Sequence, residues 1–254
     1  MNSKKIYLDY DPKYQGIVKT AAYLWFVCFA SLLLEVILVV TNLKLYRYAS
    51  VGDWNNFLQM LSVGATQFNL TQANLLALRT IYIITIPGYL VAVWKINKSA
   101  SLSFLALTLV SLPVILGVHL FQLALVPLAH EYINAIAVPG VTEAVKSSYL
   151  VSASSLYTMT NIGDSFVVMV LMNGALISWA IIAFQKPHPK YFGWWIIILV
   201  LLPFGQLIGM PLLGLANGIL TGLFFFAMGL FMLRFEPLQK SDQNKSNLEL
   251  LGEN

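Results

Sequence analysis

Long apolar runs separated by polar segments dominate this chain. Six of them predict membrane-crossing helices, because about 20 apolar residues are needed to cross the hydrocarbon core of a bilayer. The second run is short and is extended by the residues before it. The approximate bounds are 20–41, 80–93, 101–128, 162–184, 191–210 and 211–234. The runs lack the apolar–polar alternation of a membrane β-barrel. The pattern therefore predicts an all-α, polytopic membrane protein, a bundle of six transmembrane helices.

The polar segments predict how the chain is organised around these helices. Residues 1–19 form a polar N-terminal segment, and residues 20–234 form a single membrane domain. Residues 235–254 are polar, lack periodicity and are expected to be a disordered tail. Two mixed segments, 42–79 and 130–161, are predicted to be long loops on one side of the membrane. Together they are expected to cap that end of the bundle.

Composition and charge agree with this prediction and orient the helices. The chain of 254 residues is 58% hydrophobic and 10% charged, whereas soluble domains carry about 25% charged residues. With six spans and the N-terminus inside, the inner segments hold eleven of the 15 Lys and Arg residues and the outer segments four. Positive residues favour the cytoplasmic side. Both termini are therefore expected in the cytoplasm and both long loops outside, and the net charge of +4 gives no indication of a nucleic-acid partner.

Few polar side chains fall inside the apolar runs, and most of these lie in the predicted outer half of the membrane. Such groups are costly at that depth, which makes them functional candidates. The candidate ligand-binding residues are Glu35, His119, Gln122, Gln206, Asn217, Arg79 and Asp164. One hypothesis is a polar pocket that opens outward, in which Glu35 and His119 share a proton or an ion pair. The alternative is structural, with His119 and the amides bridging helices and Arg79 neutralising Glu35.

The last apolar run carries three glycines at intervals of four residues, Gly214, Gly218 and Gly222. On a helix this spacing places them on one face. A bare glycine face lets a neighbouring helix approach closely. We expect this face to pack within a single bundle, and a homodimer interface is the alternative.

No pattern typical of a catalytic or metal centre is present. The chain has one cysteine, Cys28, and so cannot form a cluster of thiolate ligands. A histidine and a carboxylate occur at membrane depth, but no activated nucleophile or metal-ligand set accompanies them. No catalytic residue, metal ligand or cofactor is assigned, and an intramembrane enzyme is disfavoured. His188 lies between two prolines and is expected to be exposed on a cytoplasmic turn.

Loose motifs occur along the second half of the chain. They are Leu128-Ala129-His130-Glu131-Tyr132, Gly163-Asp164, Lys190-Tyr191-Phe192-Gly193-Trp194 and the closing Leu233-Arg234. With these motifs, residues 101–234 resemble a bacterial family of small integral membrane proteins, the group called domain of unknown function 4386. The resemblance implies six spans and a bacterial cytoplasmic membrane. It brings no reaction, and so it implies no catalytic residues.

Two functions are compatible with these observations. The first is a non-enzymatic protein that binds or moves a small or amphiphilic molecule through the outward-facing polar pocket. The second is a structural, regulatory or immunity-type protein that acts through helix–helix contacts. Both are multi-pass proteins of the cell membrane with the lipid bilayer as a partner, and a small molecule or a lipid is the candidate ligand. The sequence leaves the oligomeric state open.

Overall fold

Helices make up most of this protein. The computed structural model describes residues 5–207 and 211–238, except for the side chains of residues 205–215. The helices are α1 (Gln15–Thr41), α2 (Leu43–Ser50), α3 (Trp54–Val63), α4 (Ala65–Val93), α5 (Lys98–Leu123), α6 (Leu125–Ile136), α7 (Glu143–Phe166), α8 (Asn173–Ala183), α9 (Lys190–Leu207) and α10 (Pro211–Met232). A π-helical stretch, Val167–Met172, joins α7 to α8, and two short strands are β1 (Ile6–Leu8) and β2 (Phe235–Pro237). The all-α prediction is confirmed.

Four helical segments in the described chain are long and apolar enough to cross a membrane. They are Pro12–Thr41, Ala65–Val93, Lys98–Ile136 and Glu143–Ala183. The last two predicted spans fall on shorter apolar helices, Lys190–Phe204 and Ala216–Met232. The membrane class predicted from hydropathy is therefore supported by helix length and composition.

The two segments predicted to be long loops are largely helical instead. Residues 42–79 hold α2, α3 and the first half of α4, and residues 130–161 hold the end of α6 and most of α7. Asp53 caps α3, where its side chain accepts a hydrogen bond from Asn56 N at 3.2 Å. Thr142 caps α7 in the same way through Val145 N. These segments are too polar to be recognised as spans, but their apolar residues keep helical spacing and bury one face.

By their contacts, the described residues form two compact units. The single membrane domain expected for residues 20–234 stays a prediction. The first unit contains the described residues of 1–29, 81–109 and 173–254. The second contains residues 30–80 and 110–172. Each unit combines segments that are far apart along the chain, which a series of apolar runs does not reveal.

An apolar core holds the second unit together. Phe57, Leu58 and Leu61 of α3 are fully buried, and they belong to a cluster with buried residues of α2, α4, α6 and α7. The ring of Phe57 lies edge-on to Tyr157 at 5.7 Å between centroids. Burial of one such side chain contributes about 1.5–3 kcal/mol. This core explains why the segments predicted as loops are ordered helices.

Stacked aromatic rings form the core of the first unit. Trp179 of α8 is 1% exposed and stacks on Trp25 at 5.4 Å and on Phe104 at 5.2 Å between ring centroids. Phe224 of α10 meets the same tryptophan edge-on at 5.0 Å. Aromatic pairs of this kind contribute about 0.5–1.5 kcal/mol beyond the area they bury. Trp179 therefore connects α1, α5 and α10 around α8.

The two short strands join the ends of the described chain within the first unit. β1 and β2 pair in parallel. Lys19 Nζ donates to the carbonyl oxygen of Phe235 at 2.8 Å and pairs with Glu236 at 3.3 Å. The tail predicted for residues 235–254 therefore begins with an ordered strand, because long-range pairing satisfies its backbone groups. Residues 239–254 lie outside the described residues.

His188 is buried in the first unit, so the predicted exposed position is wrong. Its side chain is 6% exposed. Nε2 lies 3.0 Å from the Tyr89 hydroxyl, and the ring packs against Phe231 at 5.3 Å between centroids. Burial lowers the pKa of His188 from its ordinary value of 6.5 to about 4, partly opposed by the Gln185 carbonyl. The imidazole is therefore neutral in the folded protein near pH 7.

We predict that Gly88→Ala destabilises the first unit. A Cβ at this position of α4 would overlap the Cβ of Ala21 and lie 3.0 Å from the Ile17 carbonyl oxygen. Overpacking against a backbone atom costs about 1–3 kcal/mol, so the thermal unfolding midpoint of the detergent-purified protein should decrease. Gly117→Ala is the control, because a Cβ there meets nothing within 4 Å. Equal midpoints for the two variants would contradict this packing.

We also predict that His188 makes stability depend on pH. The unfolded chain binds a proton at this histidine below about pH 6.5, whereas the folded protein binds it only below about pH 4. Stability should therefore fall as pH decreases through this window, by about 2 kcal/mol between pH 7.5 and pH 5 from this residue. Unfolding measured at both pH values should show this loss in the wild type and in the exposed-histidine control His130→Gln. His188→Phe should lack this loss of stability, and an unchanged pH dependence in that variant would show that His188 is not its cause.

Candidate functional site

A polar cluster in the second unit is organised around helix α4. Three side chains of this helix each pair with a residue on a different neighbouring helix. The pairs are Gln72 with His119, Asn74 with Glu35, and Arg79 with Asp164. Gln72 and Arg79 are seven residues apart and share a face of α4, whereas Asn74 lies on another face. The polar residues of one helix thus reach α1, α5 and α7.

Glu35 of α1 is a buried carboxyl group with one oxygen unpaired. The side chain is 6% exposed. Asn74 Nδ2 donates to Glu35 Oε2 at 3.0 Å and to the Ser31 carbonyl oxygen at 3.0 Å. Ser31 Oγ in turn donates to Asn74 Oδ1 at 2.9 Å. Glu35 Oε1 has no hydrogen-bond partner among the described residues. The amide therefore orients the carboxyl group and leaves one acceptor available.

His119 of α5 is also buried, with one ring nitrogen paired and the other unpaired among the described residues. It is 2% exposed, and Nδ1 lies 2.9 Å from Gln72 Oε1. The amide oxygen is an acceptor, so Nδ1 carries the proton in this arrangement and Nε2 is the acceptor. Gln122, one turn further along α5, interacts with the imidazole. No described residue forms a hydrogen bond of standard geometry to Nε2.

An ion pair between α4 and α7 completes the cluster. Arg79 Nη1 lies 2.5 Å from Asp164 Oδ1, with side chains 16% and 36% exposed. Arg79 also interacts electrostatically with Glu35 and with His119. The Glu35–Arg79 pairing considered from the sequence is therefore a longer-range interaction, and Arg79 has Asp164 as its direct partner. Four ionisable side chains from four helices belong to one electrostatic network.

Tyr46 of α2 adds a hydroxyl group beside this network. Burial raises the pKa of Tyr46, and the nearby Glu35 and Tyr157 raise it further. Asn42 Nδ2, at the start of α2, donates to Thr71 Oγ1 at 3.0 Å. Tyr46, Gln72 and Asn74 were not recognised as candidates from the sequence, because they lie outside the predicted apolar runs. Polar residues at helical spacing from Arg79 were the available signal.

The remaining predicted residues lie elsewhere or are not described. Asn217 belongs to the first unit, where its Oδ1 accepts a hydrogen bond from Thr221 Oγ1 at 3.4 Å. The side chain of Gln206 and the surroundings of Gly214 lie outside the described residues. A Cβ at Gly218 would meet no described atom within 4 Å, whereas Gly222 is buried. Close packing along the glycine face therefore stays a prediction.

Two open grooves on the second unit are separate from this cluster. One, of about 430 Å³, is lined by Ala124, Leu128, Ser152, Ser155, Leu156 and Met159. The other, of about 390 Å³, is lined by Asn56, Gln59, Met60, Val63 and Gly64. Within the described residues, no group of three or more His, Cys, Asp and Glu side chains is placed to hold a metal ion. The chemistry that the cluster offers is hydrogen bonding and charge.

No family model, curated protein or solved structure matches this chain. The resemblance of residues 101–234 to the family called domain of unknown function 4386 stays a prediction. The polar cluster is therefore the feature of this molecule that bears on function.

We predict that Arg79 and Asp164 stabilise the second unit as a pair. Asp164→Asn should lower the free energy of unfolding by about 1–2 kcal/mol, a value reduced by the partial exposure of the carboxylate. Arg79→Gln should have a similar effect, and the double variant should lose less than the sum of the two. Glu143→Gln, which removes the exposed pair with Lys146, is the control and should leave unfolding unchanged. Strictly additive losses would contradict the pairing.

Proposed function

We propose that this chain is a six-span membrane protein that binds or moves a small or amphiphilic molecule through a polar site open to the outer side. Four long apolar helices and two shorter ones support the number of spans. The excess of Lys and Arg in the predicted inner segments supports cytoplasmic termini. The polar cluster of the second unit is the binding site in this proposal.

The observation that carries the proposal is a pair of acceptors, Glu35 Oε1 and His119 Nε2, to which no described residue forms a hydrogen bond of standard geometry. Buried polar atoms nearly always have a partner, and an unpaired one costs about 1–3 kcal/mol. Neither residue is needed to fill space, since an apolar side chain of similar size would avoid the cost. A ligand that supplies the missing hydrogen bonds explains why these two residue types occupy buried positions.

The surroundings of the cluster favour a ligand with an apolar part. The helices that carry the two acceptors also expose apolar side chains on other faces, Leu34 and Ile37 on α1 and Leu120 and Phe121 on α5. In a bilayer such surfaces face lipid tails. A ligand with a polar head and an apolar tail suits a polar site inside a bundle that lipid tails surround.

Helix–helix contact with a partner is the second candidate function. A Cβ at Gly218 would meet no described atom within 4 Å, and Ile219 and Leu223 on the same helix are exposed. A helix of another protein has room to approach this part of α10. A structural, regulatory or immunity-type role would depend on this surface and would not need Glu35 or His119.

The binding function is tested by identifying the small molecules that remain bound through purification in mild detergent. Mass spectrometry should find a species whose retention falls about tenfold in Glu35→Gln and in His119→Gln, because each variant loses an acceptor. Glu143→Gln and His130→Gln are the matched controls. They change a carboxyl group and a histidine that are exposed, and they should retain the species.

The same preparations separate the two candidate functions. Identical small-molecule content in the wild type and in the Glu35→Gln and His119→Gln variants would rule out the binding function. Gly218→Leu would then be compared with the wild type by crosslinking in intact membranes. Loss of a crosslinked partner in that variant alone would favour the contact function.

A further inference from the structure

The two unpartnered atoms of the polar cluster are both hydrogen-bond acceptors. In its ionised form Glu35 has no proton to donate, so Oε1 acts there as an acceptor. His119 donates from Nδ1 to Gln72, which leaves a lone pair at Nε2. Both atoms belong to side chains that are more than nine-tenths buried. With Glu35 ionised and the His119 proton at Nδ1, the missing group is a donor, and carboxylate, phosphate and sulfate groups without a proton do not supply one.

The charges in the cluster are not balanced. Asp164 and Arg79 form a direct ion pair, and so each compensates the other. Glu35 has only the neutral amide of Asn74 as a direct partner, and it makes no ion pair with any residue that the structure describes. Arg79 interacts with Glu35 only at longer range. When Glu35 is ionised, its negative charge is thus left without a counter-charge in contact, and a buried charge in that condition is costly.

We propose that the ligand is a cationic amphiphile whose head group carries N–H donors, such as a primary ammonium or a guanidinium. This inference rests on the proposed binding function and specifies its ligand class. Glu35 Oε1 binds the positive head group in a charge-assisted hydrogen bond. His119 Nε2 is a second acceptor in the same network when Nδ1 carries the proton. Asn74 orients the carboxylate from the opposite side.

The inference is tested with three amphiphiles that share a ten-carbon tail and differ in their head group. Decylammonium carries a positive charge and N–H donors, decanol has a neutral O–H donor, and decanoate is anionic. Affinities are measured at neutral pH with the protein in lipid nanodiscs. Decylammonium should bind most tightly, and Glu35→Gln should weaken it about tenfold or more, because that variant removes one partner of a buried charge pair. Glu143→Gln should bind as the wild type does.

Glu35→Asp keeps the charge and provides a second test should the glutamine variant fold poorly. It should bind decylammonium more tightly than Glu35→Gln does. His119→Gln should weaken binding less than Glu35→Gln, because it removes an uncharged acceptor. Equal decylammonium affinity in the wild type and in both Glu35 variants would overturn the inference.

The outcomes also distinguish this inference from the binding function on which it rests. Site-dependent binding of decanol or decanoate, with decylammonium binding no better, would overturn the cationic class and leave the binding function in place. Binding of none of the three probes in a manner that depends on Glu35 or His119 would overturn both.

Discussion

A polar side chain that is buried among apolar helices must find its partner inside the protein, and helix α4 supplies most of these partners in the second unit. The pairs are Asn74 with Glu35, Gln72 with His119, and Arg79 with Asp164. The three α4 residues lie around one helix, so together they fix the register of α1, α5 and α7 against it. A shift of α4 by one residue would separate all three pairs at once. The apolar core supplies most of the stabilisation, and the polar pairs select one arrangement of the helices.

The need of buried polar groups for partners also distinguishes the residues of the cluster that only join helices from those that are available for binding. Arg79 and Asp164 neutralise each other, and both amides have their oxygen or nitrogen engaged by a neighbour. Glu35 and His119 each use one polar atom to contact α4, and the second polar atom has no hydrogen-bond partner among the described residues. A side chain with two polar atoms is suited to this division, since one atom orients the group and the second meets a ligand. The two hypotheses drawn from the sequence, polar side chains that bridge helices and a polar binding site, are therefore compatible.

In the described part of the first unit, buried polar groups are accommodated without a cluster of polar pairs on one helix like that of α4. Its core consists of stacked aromatic rings around Trp179, and its one strongly buried histidine, His188, is neutral and bonded to Tyr89. Lys19 Nζ donates to the backbone carbonyls of Leu233 and Phe235 and pairs with Glu236 at the paired terminal strands. His188 and Lys19 are engaged by residues far away in sequence. The order of the chain ends thus depends on tertiary contacts.

The sequence by itself determined the all-α class, the membrane character and the identity of Glu35, His119 and Asp164 as candidates. It could do so because hydropathy is a local property, and a polar residue inside an apolar run is visible without knowledge of its neighbours. Only the tertiary structure decided that the segments predicted as loops are helices, that α4 supplies the partner residues, and that His188 is buried. These outcomes depend on which helices meet. A polar residue is paired or exposed according to contacts across dozens of residues, and no local pattern records those contacts.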